Sequence, residues 1–189
     1  MSLKPSKKSD SDKEWMSKRA DRKKLISPEY HLIVTEGIKT EPNYFQGIKK
    51  RINRDYRERI HLEIEGEGTN TVKLFEEAKR IVDKNPNGYR HVWIVYDTDD
   101  FPAESINKVV ELCKENNTAE CTYHAVWSNQ CIEFWFLLHF SFEQSDLHRN
   151  QYFEKLSRCF RDNGVAGTYE KNREDIFEIL LPFLGNAIR

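Results

Sequence analysis

Apolar and polar positions repeat along this chain with two periods, and each change of period marks an element. From Tyr30 a short apolar run, "YHLIVTEG", ends in glycine and reads as a strand. "TEPNYFQGIKKRIN" follows with Phe45, Ile48 and Ile52 at helical spacing and Pro42 in a first turn, where a missing N–H is tolerated. "RIHLEIEGEG" alternates like a strand and stops at glycines. "TNTVKLFEEAKRIVDKNPNG" sets Val72, Phe75, Ala78 and Val82 on one helical face and closes on Asn-Pro-Asn-Gly. "HVWIVYD" is near-continuously apolar, as strands covered on both faces are. "FPAESINKVVELCKENN" predicts a third helix and "CTYHAVWS" a fourth strand. The fourth helix, "NQCIEFWFLLHF", is apolar almost all round and is expected to be buried. Amphipathic helices over 149–162 and 170–184 complete the pattern.

Strict alternation of strand and helix predicts an α/β fold: a four-stranded, mostly parallel sheet with right-handed crossovers, helices on both faces and additional C-terminal helices. Three segments are expected. Residues 1–25, rich in Lys and Ser, read as a disordered basic arm. Residues 26–145 form the α/β domain, and 146–189 a helical extension packed on it. The sequence stops at "LPFLGNAIR" with no tail, which leaves both a native and a truncated C-terminal side open.

Charged residues make up 32% of the 189 and apolar ones 38%, a soluble, polar composition. No apolar run approaches the roughly 20 residues needed to span a bilayer, and no signal-peptide core is present, so a cytoplasmic protein without membrane contact is expected. The cysteines, Cys113, Cys121, Cys131 and Cys159, show no C-x-x-C pairing and read as reduced thiols. Residues 1–60 carry 16 Lys/Arg against 9 Asp/Glu, while 61–189 carry 14 against 22. A basic front beside an acidic remainder permits a polyanionic partner.

The chemistry concentrates where strands end. In a doubly wound sheet all carboxyl ends open on one edge, at which ligands bind. Strand one delivers Glu36 there; strand three delivers Asp97, Asp99 and Asp100 in "YDTDD". With strand order 2-1-3-4, Glu36 faces Asp97 and Asp99 across a spacing of about 4.8 Å. Converging carboxylates repel, so one takes a proton or a cation sits among them. Oxygen-only ligands suit Mg²⁺ or Mn²⁺, and such ions serve phosphoryl chemistry. The alternative is structural: Asp100 as an N-cap before Pro102.

These residues resemble a known family. "LIVTEGIKTEPNYFQGI", "VWIVYDTDDF" and "SNQCIEFWFLLHF" are similar, in order and spacing, to the three blocks of RloB-like proteins, and a strand-one glutamate with a strand-three D-x-D is the Toprim signature. The resemblance implies a Toprim-like (Rossmann-like) fold and Mg²⁺-dependent phosphodiester chemistry on DNA or tRNA. It further implies prokaryotic, restriction-linked anti-phage defence beside an ABC/SMC-like ATPase partner. Glu36, Asp97 and Asp99 match the family's acids, and Lys39, Glu41, Ser128, Asn129 and Glu133 its accompanying positions.

The accompanying residues carry readings of their own. Glu133, a charge in an apolar helix, is costly unless paired and is expected to assist the metal. Lys39 serves a phosphate or the transition state, or is a solvated loop lysine. Glu41 favours a helix N-terminus, Ser128 is an N-cap, and Asn129 binds phosphate or a strand-end carbonyl. His139 reads as structural, and Trp93, Trp127 and Trp135 as core. Lys49, Lys50, Arg51 and Arg54, with the basic arm, are expected to contact a nucleic-acid backbone. A metal-dependent nuclease leads. A non-catalytic Toprim scaffold and an aspartyl-phosphate enzyme are the alternatives, and assembly state is left open, a homodimer included.

Overall fold

The computed structural model describes residues 29–56, 60–68, 71–85, 88–98, 102–143 and 147–188. The basic arm read over 1–25 lies outside them. Among the described residues the order is β1 (Glu29–Thr35), α1 (Thr40–Tyr56), β2 (Ile60–Gly66), α2 (Thr71–Lys84), β3 (His91–Asp97), α3 (Ala103–Glu115) and β4 (Thr122–Ser128). Then follow α4 (Glu133–Leu138), α5 (Arg149–Asp162), α6 (Ile176–Leu180), a 3₁₀ turn (Leu181–Phe183) and α7 (Leu184–Ala187). The sheet is four-stranded, in the order β2-β1-β3-β4, and every pairing is parallel. This is an α/β open sheet flanked by helices, consistent with a Toprim- or Rossmann-like fold.

Period-2 alternation divides the strands between two cores. Leu32, Val34, Val92, Ile94 and Tyr96 face α2 and α3, where they pack with Leu74, Phe75, Ala78, Val82, Val109 and Cys113. The opposite face carries Ile33, Trp93 and Val95, which α1 meets with Phe45, Ile48 and Ile52. The far side of α1 builds a second core: Tyr44 packs with Phe136, Leu156, Phe160 and Phe177 of the later helices. Gly47 is the close point of that contact. A Cβ there would overlap that of Phe177 and stand 2.6 Å from its Cγ.

Two helices differ from their sequence reading. The expected helix over 129–140 begins only at Glu133, because a turn with Gln130 at φ 59° follows β4. The expected helix over 170–184 is broken: Pro182 sits in a 3₁₀ turn between the short helices α6 and α7. The four cysteines are free thiols. Among the described residues no helix is long and apolar enough to cross a membrane.

On the α1 side of the sheet, imidazoles and an indole form a row. His31 and His91 rings stack at 4.8 Å, and Trp93 and His124 at 4.1 Å. The Trp93 indole N–H donates to His31 Nδ1 at 3.2 Å, and His91 Nδ1 lies 3.1 Å from His124 Nε2. Burial, reinforced by His91, holds His31 and His124 below the ordinary imidazole range. Burial also lowers His139, whose Nδ1–H donates to the Trp135 carbonyl at 2.9 Å. That contact keeps His139 structural, as read.

Two outcomes are expected. Gly47→Ala should destabilise the fold by about 1–3 kcal/mol in urea, since overpacking against Phe177 outweighs the helix-propensity gain of roughly 1 kcal/mol. The unfolded chain protonates His31, His124 and His139 more readily than the folded one. Stability should therefore be full above about pH 6.5 and fall as pH drops below it. Urea midpoints across that range should show a slope that His31→Gln and His139→Gln each flatten; an unchanged slope would refute the assignment.

Candidate functional site

Strand order reverses between β1 and β3, which are parallel bonded neighbours: β2 is added on one side of β1 and β3 on the other, so a crevice opens outside their carboxyl ends. Glu36 N–H donates to the Val95 carbonyl at 3.0 Å, carrying the ladder one residue past β1. Glu36 Oε2 then accepts from the Asp97 N–H at 3.3 Å. The buried Thr35 hydroxyl donates to the Gly37 carbonyl at 2.7 Å and closes the turn. That turn passes against the end of β2, where a Cβ on Gly66 would stand 2.8 Å from the Gly37 carbonyl oxygen. β2 therefore ends in glycine for lack of space.

A cavity of about 480 Å³ opens at this point, lined by Glu36, Glu41, Asp97 and Glu133 together with Lys39 and Lys171. Glu41 does more than favour a helix start: it is buried, and its carboxylate lies over Gly37, where a Cβ would stand 2.6 Å from Cδ. Glu133 is 1% exposed and accepts from the Tyr169 hydroxyl at 2.9 Å in a buried bond. Burial first, then the Glu133 charge, raises the Tyr169 phenol well above its ordinary range, so it remains a donor. The same two causes raise the Cys131 thiol, which stays protonated beside the cavity.

One wall comes from the loop before α6. Asn172, in the left-handed region at φ 68°, accepts from Thr40 Oγ1 at 2.8 Å through its side chain. Its carbonyl accepts from Asn43 Nδ2 at 2.9 Å. These bonds pin the loop to the first turn of α1 and bring Lys171 to the rim. Sequence reasoning missed Tyr169, Lys171 and Asn172. The available local signal was an Asn in "YEKNRED", a residue type that tolerates left-handed turns.

The structure thus brings together Glu36, Asp97, Glu133, Lys39 and Glu41. Asp99 and Asp100 lie outside the described residues. The N-cap position of α3 is Pro102, with no side-chain cap bond. Ser128 is not an N-cap: it is the last residue of β4, and Ile132 precedes α4. The intervening turn is tied instead by Thr98, whose Oγ1 accepts from the Gln130 N–H at 2.8 Å. Ser128 and Asn129 line an adjoining apolar groove rather than the acidic cavity.

Lys49, Lys50, Arg51 and Arg54 sit well along α1, roughly 14–21 Å from its start at the acidic edge by helix rise, and Arg54 bonds Asp55. Trp93 and Trp135, expected in the core, are half-buried at its margin, and Trp127 is 55% exposed and not core. Edge strand β4 leaves it without a covering helix.

Among the described residues no three His, Cys, Asp or Glu side chains are grouped so as to hold a metal ion. The donor chemistry is nonetheless all carboxylate oxygen. Glu36 and Asp97 carry oxygen donors of the kind a hard, hydrated cation takes.

Tyr169→Phe removes a hydrogen bond to a buried carboxylate and should cost about 1.5–3 kcal/mol in urea denaturation. In a Glu133→Gln background the same change should cost clearly less. Equal costs in both backgrounds would show the two side chains uncoupled.

Comparison with known proteins follows the same residues. Searches of curated proteins and of solved structures each returned no match. A family model described as RloB-like protein matches residues 31–189, a span from β1 to the last residue that includes every described member of the acidic cavity. The chain belongs to the RloB-like family.

Proposed function

We propose that this protein is a metal-dependent nuclease, cleaving phosphodiester bonds in nucleic acid with Mg²⁺ or Mn²⁺. One observation carries the reading: the tips of β1 and β3 are joined by the Glu36–Asp97 hydrogen bond, inside a cavity that also admits Glu133 and Lys39. A bound cation would supply Lewis acidity and lower the pKa of water. Glu36 and Asp97 would hold it, with Asp99 of the same D-x-D motif. Glu36 serves as base for the attacking water, and Lys39 offsets charge developing on the phosphate. Tyr169 orients Glu133 through its hydroxyl. Membership of the RloB-like family supports a role in anti-phage defence beside an ABC/SMC-like ATPase.

A second reading, a non-catalytic scaffold, draws on the partners that Glu36 and Glu133 already have within the protein. It leaves the clustering of acids unexplained, since a scaffold has no need to sustain that repulsion. Cleavage of labelled DNA and RNA with Mg²⁺ or Mn²⁺ should fall at least about 100-fold in Asp97→Ala, the scale of one positioned catalytic group. Undiminished cleavage by that variant, or no heat of Mg²⁺ binding by the wild type, would defeat the nuclease reading.

A further inference from the structure

Strand β4 closes the sheet on one side, and its backbone shows which groups face outward. The ladder to β3 runs through even-numbered residues: the Thr122 N–H donates to the Arg90 carbonyl at 3.0 Å, and the Ser128 carbonyl accepts from the Thr98 N–H at 3.1 Å. Residues between them turn N–H and C=O away from β3, so Tyr123, Ala125 and Trp127 face outward. Asn117 Oδ1 accepts from the Tyr123 N–H at 2.7 Å. Among the described residues nothing bonds the outward groups of Ala125 and Trp127. The strand carries no Lys, Arg, Asp, Glu or Pro, the residues that keep exposed edges from pairing, whereas the other edge, β2, carries Glu63 and Glu65. It is also apolar on both faces. Val126, paired with Val95, projects on the α1 face and is 39% exposed; Trp127, paired with Tyr96, projects on the α2–α3 face and is 55% exposed.

We infer that β4 pairs antiparallel with β4 of a second copy of this chain, about a two-fold axis normal to the sheet at Val126, so that two sheets become one. One register uses every free backbone group. It sets Ala125 opposite Trp127 of the second copy and Trp127 opposite its Ala125, and each pair exchanges both N–H···O bonds. Side chains complement one another in the same register. Val126 meets Val126 of the second copy on the α1 face, and each indole lies beside the small Ala125 side chain on the other. An axis at Ala125 would require the Tyr123 N–H, which Asn117 holds. An axis at Trp127 would set indole against indole and leave Ala125 opposite Asn129, beyond the strand. Charge selects the occupant. With no carboxylate or ammonium on either β4, self-pairing sets no like charges opposite, while a partner edge such as β2 would press Glu63 and Glu65 toward an apolar strand.

Sedimentation equilibrium of the full chain, followed through the micromolar range, should report a dimer. Trp127→Lys should raise its dissociation constant at least about 10-fold. Trp127 is exposed in the single chain, so that variant should keep the wild-type far-ultraviolet circular dichroism. Val126→Cys reads the register directly. Its two Cα atoms would stand about 4.5 Å apart across the axis, a separation that a disulfide spans. Oxidation with copper–phenanthroline should trap that variant as a covalent dimer. Asn129→Cys, also exposed but lying opposite Tyr123 of the second copy, should cross-link no better than the wild type with its own cysteines. A monomeric wild type, a Trp127→Lys protein that dimerises as well as the wild type, or Val126→Cys that cross-links no better than Asn129→Cys would each overturn the inference.

Discussion

Parallel pairing of β1 with β3 is the constraint on which the rest depends. It sets Glu36 one residue beyond a ladder whose partner ends in Asp97, and the Asp97 amide then donates to the Glu36 carboxylate. Backbone hydrogen bonds fix the two strand tips side by side, so both acids emerge at one edge of the sheet. The sheet therefore keeps a concentration of negative charge at its edge that side-chain flexibility alone would disperse.

The surroundings of that edge follow from how little room it leaves. Gly37 lies under the Glu41 carboxylate, and Gly66 lies against the backbone of the same turn. Glu133 enters a buried position because Tyr169, from a loop far along the chain, supplies its hydroxyl. That loop is itself pinned by Asn172 to the first turn of α1. The helices after β4 are thus more than an appendage to the sheet: they complete one wall of the cavity and hold one of its acids.

Local patterns were legible wherever one periodicity ran unbroken. β3 and α5 match their sequence readings at both ends, over 91–97 and 149–162, because each is a run bounded by turn residues. The reading failed where apolar content concealed a turn. "NQCIEFWFLLHF" looked like one helix, yet Gln130 takes positive φ and the helix waits until Glu133. Ser128 consequently closes a strand rather than capping a helix. Trp127 looked like core because indoles usually are, but burial depends on what covers a strand, and nothing in the described structure covers β4 there.

By itself the sequence determined the α/β alternation, the acids at two strand tips, and the family blocks that contain them, because strand and helix periods and short motifs are local properties. Tertiary structure decided which tips are neighbours, which lysines stand near them, and which aromatic side chain is left in solvent. Lys171 lines the same cavity as Lys39, while Lys49 to Arg54 lie far along α1. The reason is physical: strand order and helix placement are set by how the two cores pack. Those contacts join residues from 61 positions apart, as at Glu36 and Asp97, to 132, as at Thr40 and Asn172, distances over which no periodicity speaks.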